Sequence, residues 1–237
     1  MRLLVLAGGA GSRLRPVLPD TPKALAPIGA IPFLALQVEN WVNQGVVSFV
    51  FLLHHQADQV VEFLERVRHS LLKGCEVSVV IEPNPLDTGG AVGYAVRELG
   101  IKGDFLLTNA DTWLGDGISK FTGSIAPAIA VVHLENTSRY GQVRFDTQHT
   151  VVDFVEKNIL AGPGWINAGL SLLHPRLFES WDGRRFSLEQ QLFPQLVQQR
   201  LLTAAPIESD FIDIGIPADY QRFCSWAASN RKSKLCN

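Results

Sequence analysis

Cysteine and methionine are scarce in this 237-residue sequence, which has three of the first and one of the second. Cys75, Cys224 and Cys236 lie far apart and form no C-x-x-C pair. This pattern argues against a disulfide framework and against a zinc site, and it indicates a reducing compartment. Long apolar runs are also missing: none reaches the roughly 18 residues of a membrane span, and the N-terminal run is too short for a signal-peptide core. We therefore expect a soluble, cytoplasmic protein with no membrane partner.

An excess of charge of either sign is missing as well. The sequence has 21 Lys and Arg against 23 Asp and Glu, and no basic stretch alternates with aromatic residues. We therefore expect no nucleic-acid partner. With 46% hydrophobic and 19% charged residues, the chain can bury a core. No Pro/Gly/Ser-rich linker or internal repeat divides it, so we expect one domain over residues 1–228 and a polar, frayed tail over 229–237.

Short apolar runs alternate with amphipathic stretches in the first half of the chain. They predict four strands, starting near Leu3, Val47, Val77 and Phe105, and helices over residues 32–44, 57–72 and 90–99. Such alternation implies right-handed crossovers and parallel strands. The second half shows strands over 125–134, 141–145, 151–155 and 168–173, with few helices between them, and helices over 187–199 and 218–228. The sequence therefore predicts an α/β fold, a Rossmann-like three-layer α/β/α arrangement with a mixed, mainly parallel central sheet.

Ligands of an open parallel sheet bind beyond the carboxyl ends of its strands, so the loop after the first strand is a candidate site. Gly8, Gly9 and Gly11 follow that strand directly, and their backbone N–H groups can approach phosphate oxygens unhindered. The loop is not a P-loop, because no Gly-Lys pair precedes Ser or Thr. It is a poor dinucleotide fingerprint, because Leu14 stands where the last glycine is required.

A third glycine pattern fits the loop. The ordered series Gly8, Gly9, Gly11, Arg13, Leu14, Pro16, Pro22, Lys23 and Pro27 resembles the signature of sugar-nucleotide pyrophosphorylases, the sugar-1-phosphate nucleotidyltransferases. The resemblance implies transfer of a nucleoside monophosphate from an NTP to a sugar 1-phosphate, with release of pyrophosphate. It places Leu6, Ala7 and the glycines at the nucleotide, Arg13 at the β,γ-phosphates and Lys23 beside the bond that breaks. A simple turn would need neither cation, whereas the charge on departing pyrophosphate needs both.

The resemblance extends from about Met1 to Phe223. In IEPNPLDTGGA (residues 81–91), it places Glu82 at the nucleobase edge, with Gly89 and Gly90 letting ribose and base pack closely. A carboxylate can accept from guanine N1–H and N2–H2 together, whereas uracil and thymine offer one imide donor, so Glu82 favours GTP. The alternative is a solvated Glu82 at a strand end.

Two further blocks resemble the metal-binding acids of the family. LLTNADTWL (residues 106–114) contributes Asn109 at the nucleotide and Asp111 at a metal, although Ala110 stands where glycine is commoner. FIDIGIPADYQRF (residues 211–223) contributes Asp213 as the second acid. The expected cofactor is Mg²⁺, which is commonly held by one or two carboxylates and phosphate oxygens.

The sugar-phosphate half of the family's site is resembled by YGQV, FVEKN and WINAGLSLL. By this resemblance Glu156 binds sugar hydroxyls, Lys157 binds the sugar phosphate, and Gly141 and Asn167 contact the sugar ring. An adjacent Glu-Lys pair alone would be a weak signal, since most such pairs are solvated.

The subgroup is suggested by LDTGG, INAG, FSLEQQLFPQL and FIDIGIPADY, which resemble D-glycero-α-D-manno-heptose 1-phosphate guanylyltransferases. Mannose-1-phosphate guanylyltransferases and N-acetylmuramate-1-phosphate uridylyltransferases are alternatives. A non-catalytic subunit that senses nucleotide sugar is an alternative of another class, but we would expect it to have lost Lys23, Asp111 or Asp213. Because the sequence ends soon after the last block, we expect no left-handed β-helix and no second activity. The sugar, and the choice between monomer and homo-oligomer, stay open.

Overall fold

The computed structural model describes residues 1–121, 123–155 and 162–235. The helices and strands of the first half of the chain are β1 (Arg2–Leu6), β2 (Pro27–Ile28), β3 (Ile31–Pro32), α1 (Phe33–Asn43), β4 (Ser48–Leu53), α2 (Ala57–Val67), β5 (Glu76–Ile81), α3 (Asp87–Leu99) and β6 (Phe105–Asn109). They are followed by β7 (Thr112–Leu114), β8 (Ala128–Leu134), β9 (Gln142–Phe145), β10 (Val151–Val155), β11 (Gly164–Leu173), α4 (Phe193–Gln198), β12 (Thr203–Pro206), β13 (Phe211–Asp213) and α5 (Pro217–Leu235).

Nine strands of the described residues form one mixed sheet. Its parallel part contains β6, β1, β4 and β5, which lie side by side in that order, with β5 at the edge. β11 extends the sheet by pairing antiparallel with β6, β8 and β9. The alternating first half of the sequence thus forms parallel strands, as predicted. The second half adds a mixed region, in which β11 pairs antiparallel with its neighbours and β12 pairs parallel with β8.

The order of the central strands creates a crevice between β1 and β6. After β1 the chain adds β4 and β5 on one side, and then it crosses to the other side of β1 to form β6. The loops that leave β1 and β6 therefore diverge at a topological switch point, where α/β sheets bind ligands. Leu6 and Asn109 are paired at the ends of the two strands, and Ala110 N–H donates to Leu6 O at 2.9 Å.

Helices cover both faces of the sheet. Leu3 and Val5 pack in an apolar cluster with α1 and α2, whereas Leu4 packs in a second cluster with α3 and α4. Because successive side chains of a strand point to opposite faces, one strand serves both cores. The predicted three-layer arrangement is confirmed. Among the described residues, no helix has the length and apolar character needed to cross a membrane.

Four helices differ clearly from their predicted bounds, and one of them, α3, begins at Asp87 instead of residue 90. α2 ends at Val67 instead of residue 72, because Ser70 donates both its N–H and its hydroxyl to Val67 O and so competes with the helical pattern. The predicted helix over 187–199 begins with a π-helical segment, Leu188–Leu192, and α4 follows with Pro194 in its first turn. α5 continues to Leu235, so the helix does not end at residue 228 as predicted.

Candidate active site

Three adjoining cavities open where β1 and β6 end, and Asp111 lines all three. The β5 cavity, of about 480 Å³, is lined among others by Gly8, His54, Glu82 and Thr88. The loop cavity, of about 230 Å³, is lined among others by Leu6, Ala7, Gly11 and Lys23. The β11 cavity, of about 320 Å³, is lined among others by Asn109, Gly141, Asn167 and Glu189. Arg13 borders both the loop cavity and the β11 cavity.

The glycine loop runs between these cavities and leaves little space for a side chain at Gly8. A Cβ on Gly8 would lie 3.0 Å from the backbone nitrogen of His54 and 3.2 Å from Glu82 Oε1, so the loop touches the ends of β4 and β5. Gly11 has a φ of +59°, which glycine adopts most readily. Gly9 lines two cavities and has open space around its Cβ position. The loop therefore presents backbone to a volume that a polyphosphate could fill.

Lys23 lies between the two acids that the sequence assigns to a metal. Its ammonium nitrogen is 2.5 Å from Asp111 Oδ2 and 3.6 Å from Asp213 Oδ1. The Lys23 side chain is only 12% exposed. The three charged groups therefore form one cluster, although the acids come from distant parts of the chain.

A small β ribbon brings the two acids together. β7 and β13 pair antiparallel, with Thr112 opposite Asp213, and Ile214 N–H donates to Asp111 O at 2.9 Å. Gly215 then holds the second acid, since its N–H donates to Asp213 Oδ1 at 2.7 Å. The ribbon thus explains how residues at the rim of the sheet and near the C-terminus share one site.

Glu82 is buried, which excludes the alternative of a solvated side chain. It is 7% exposed, and its Oε2 accepts a hydrogen bond from Leu86 N–H at 2.8 Å. Burial raises the pKa of this carboxyl, while the Leu86 N–H and the nearby His54 act in the opposite direction. Glu82 Oε2 therefore holds the loop after β5 through its hydrogen bond with Leu86 N–H, and the Glu82 side chain also borders the β5 cavity.

Gly89 and Gly90 have surroundings that differ from the predicted ones. Both N–H groups donate to Phe186 O, at 3.0 and 3.1 Å. A Cβ on Gly89 would lie 2.2 Å from the Phe186 ring. The sequence predicts that these glycines admit ribose and base, but in the structure they admit the chain around Phe186. Among the described residues, Thr88 and Ala91 form the neighbouring cavity wall instead.

The β11 cavity contains the described residues of the predicted sugar-phosphate half. Gly141 and Asn167 line it, together with Asn109. Glu156 and Lys157 lie outside the described residues. Tyr140 also lines the cavity, and its pKa is raised by burial and, next, by the charge of Asp213.

Comparison with known proteins connects this geometry to a family. Residues 2–227 match the family model described as nucleotidyl transferase. The chain belongs to the nucleotidyl transferase family. The resemblance inferred from the sequence is thereby confirmed, as is the enzyme class.

Curated and solved relatives of this nucleotidyl transferase cover nearly the whole chain. A D-glycero-α-D-manno-heptose 1-phosphate guanylyltransferase of Campylobacter jejuni is 31% identical over 94% of this chain and 98% of its own length. A mannose-1-phosphate guanyltransferase of Candida albicans is 29% identical over 100% of this chain and 68% of its own. The crystal structure of HddC from Yersinia pseudotuberculosis superposes with a TM-score of 0.83 at 32% identity, covering 94% and 98% of the two chains. HddC has also been solved in complex with GMP-PN.

Three residues of this nucleotidyl transferase site were missed in the sequence. Gly215 is required because a Cβ there would lie 2.8 Å from Asp213 Oδ1 and 3.1 Å from Lys23 Nζ. The sequence signal for Gly215 was its position close after β13, the strand that carries Asp213. Arg139 and Glu189 line the β11 cavity. Glu189 lies in the recognised FSLEQQLFPQL string, but nothing in that string shows that it faces the same cavity as Asn167.

The metal prediction fits the donor set of this nucleotidyl transferase. Within residues 1–121, 123–155 and 162–235, no group of three or more His, Cys, Asp or Glu side chains could hold a metal ion. Asp111 and Asp213 nevertheless converge on one cation, Lys23. Mg²⁺ commonly takes only one or two carboxylates and completes its shell with phosphate oxygens and water. The acids therefore suit a magnesium ion that arrives with a polyphosphate.

Proposed function

We propose that the protein is a sugar-1-phosphate guanylyltransferase, which transfers GMP from GTP to a sugar 1-phosphate and releases pyrophosphate. The observation that carries the proposal is the cluster of Lys23, Asp111 and Asp213 at the junction of three cavities. Three cavities around one charged cluster suit a base with its ribose, a polyphosphate and a sugar phosphate. We also propose a cytoplasmic location, consistent with the free thiols of Cys75 and Cys224.

The reaction is a direct displacement at the α-phosphorus of GTP. An oxygen of the sugar phosphate attacks, the new P–O bond forms, and the bond to the bridging oxygen of the departing pyrophosphate breaks. The glycine loop faces the phosphates with backbone, and Arg13 borders both the loop cavity and the β11 cavity. Arg13 can therefore attract both anionic substrates, while Lys23 stabilises the charge that grows on the leaving group.

Asp111 and Asp213 would hold Mg²⁺, which when bound polarises the α-phosphate. Each of the two carboxylates is held by a hydrogen bond from a neighbouring residue before the substrate binds. Thr112 Oγ1 donates to Asp111 Oδ1 at 3.2 Å, and Gly215 N–H donates to Asp213 Oδ1. No residue in this scheme forms a covalent intermediate.

The choice of GTP rests on Glu82 and on the relatives. Its buried carboxylate borders the β5 cavity, where it can meet the two donors on the Watson–Crick edge of guanine. HddC, which has been solved with GMP-PN, and the heptose and mannose relatives support the same nucleotide. D-glycero-α-D-manno-heptose 1-phosphate is the first sugar to test, because the Campylobacter relative acts on it, and mannose 1-phosphate is the second.

The decisive experiment is a pyrophosphate-release assay. GTP, UTP and dTTP are each paired with heptose 1-phosphate, mannose 1-phosphate and N-acetylmuramate 1-phosphate, with Mg²⁺ and with a chelator. We expect release with GTP and heptose 1-phosphate, and no release with chelator. Binding of a nucleotide sugar without turnover of any pair would instead identify a sensing subunit. Preference for UTP or dTTP would disprove the assignment of guanine.

A further inference from the structure

Glu189 is held in one orientation by hydroxyl groups from two separate segments. Its Oε2 accepts hydrogen bonds from Thr88 Oγ1 at 2.7 Å and from Ser187 Oγ at 2.9 Å. Thr88 Oγ1 in turn accepts from Leu188 N–H at 3.0 Å. Glu189 itself lies in the π-helical segment Leu188–Leu192, a geometry that is frequent at functional sites. The carboxylate is therefore fixed before any substrate binds.

The other oxygen of Glu189 is available to a ligand. Oε1 accepts no hydrogen bond from the part of the chain that the structure describes, and no cation there pairs with Glu189. The side chain is partly buried and lines the β11 cavity. An ionised carboxylate is an acceptor only, so it calls for hydroxyl or N–H donors.

The β11 cavity has charges of both signs on its wall. Arg13 supplies a cation, and Arg139 a second one that already pairs with Asp219, while Glu189 supplies an acceptor and Asn167 can both donate and accept. A phosphate group suits Arg13, and neutral hydroxyls suit Glu189. A sugar 1-phosphate carries both kinds of group on one molecule.

We propose that Glu189 binds hydroxyl groups of the sugar 1-phosphate and that Thr88 and Ser187 are positioning residues for it. This inference rests on the proposed function. Glu189 does not cap the π-helical segment, because that cap is made by Ser187, whose Oγ accepts from Gln190 N–H at 3.2 Å.

The Thr88 contact makes the proposal specific. Thr88 lines the β5 cavity, whereas Glu189 lines the β11 cavity, so their hydrogen bond crosses the wall between the two. Removing the Thr88 hydroxyl should therefore weaken binding of the sugar phosphate, although Thr88 faces the nucleotide side.

The first test is steady-state kinetics of Glu189→Gln. We expect the KM for the sugar 1-phosphate to rise about 10- to 100-fold, as for loss of hydrogen bonds to a charged group. The KM for GTP should stay within about twofold. Thr88→Val should also raise the KM for the sugar 1-phosphate, by a smaller factor. Glu179→Gln, the same change at an exposed carboxylate outside the three cavities, should leave both KM values unchanged.

The second test compares deoxy analogues of the sugar 1-phosphate. An analogue that lacks the hydroxyl bound by Glu189 should be a poor substrate of the wild type and lose little more with Glu189→Gln. Thermal unfolding of each variant checks that it is folded. The inference would be overturned, and the proposed function left standing, by either of two results. One is an unchanged KM for the sugar 1-phosphate in a folded Glu189→Gln enzyme. The other is that, with every analogue, the effects of the missing hydroxyl and of Glu189→Gln simply add. A wild type that releases no pyrophosphate with any pair would overturn the proposed function and this inference with it.

Discussion

Gly215→Ala should disturb the charged cluster without removing any of its functional groups. A Cβ at this position would lie 2.8 and 3.2 Å from the two carboxylate oxygens of Asp213 and 3.1 Å from Lys23 Nζ. Ordinary contact begins at 3.4 Å, so the carboxylate must retreat by about 0.6 Å. The backbone itself tolerates alanine, because Gly215 is not among the glycines with positive φ.

The size of the effect follows from that displacement. A misplacement of about 1 Å can cost about 100-fold in rate, so we expect kcat to fall roughly 10- to 100-fold. The free energy of unfolding is subject to two opposing effects. Replacing glycine by alanine at a compatible φ stabilises a protein by about 0.4–1 kcal/mol, and overpacking costs about 1–3 kcal/mol. The two effects oppose each other and leave a destabilisation of at most about 2.6 kcal/mol.

The assay is pyrophosphate release at saturating GTP and sugar 1-phosphate, with denaturant unfolding alongside. Gly164→Ala is the matched control, since its Cβ would meet neighbours only at 3.6 Å or more and its φ is not positive either. It should keep normal turnover. If Gly215→Ala turned over as fast as Gly164→Ala, the geometry of Lys23 and Asp213 would not control the reaction.

Four further predictions address the charged cluster and the residue expected at the base. Lys23→Ala should lower kcat by more than about 100-fold and change the KM for GTP far less, because its charge matters most as pyrophosphate departs; normal turnover would remove it from the site. Asp111→Asn and Asp213→Asn should each lose most activity while keeping a cooperative unfolding transition, and wild-type activity should vanish with a chelator and return with Mg²⁺; near-normal turnover of either variant would contradict the metal assignment. Glu82→Gln should reduce selection of GTP over UTP by roughly 1–3 kcal/mol. Because burial raises the pKa of Glu82, its contribution to stability is complete below the ordinary carboxyl pKa and is lost as pH rises through the raised value; Glu82→Gln should flatten that decline in urea titrations.

The sequence predicts the parallel part of the fold well because its signals are local. Each central strand is one apolar run, and each crossover helix has its own periodicity. Residues directly after those strands, such as Gly8 and Asp111, could therefore be placed at one edge of the sheet. The sequence also pairs Asp111 with Asp213, but only through resemblance to the family.

The contacts that the sequence did not predict join parts of the chain that are distant in sequence. β7 and β13 have three residues each, too few to show a pattern, and they depend on each other for pairing. The sequence predicts that Gly89 and Gly90 of α3 contact the nucleotide, whereas in the structure the Phe186 ring packs against Gly89. Thr88 and Glu189 are likewise joined only in the folded chain. Each of these contacts is set by tertiary packing, about which single-sequence patterns carry no information.

The charged cluster is positioned by apolar packing directly behind it. A third apolar cluster contains Leu14, Ala26, Ile212 and Ile214, with Phe223 of α5. Leu14 follows Arg13, and Ala26 ends the 3₁₀ turn that carries Lys23. Ile212 and Ile214 flank Asp213 and, because side chains alternate along a strand, leave its carboxylate on the opposite side, towards Lys23. The same burial that holds α5 in place therefore supports the backbone beside Arg13, Lys23 and Asp213.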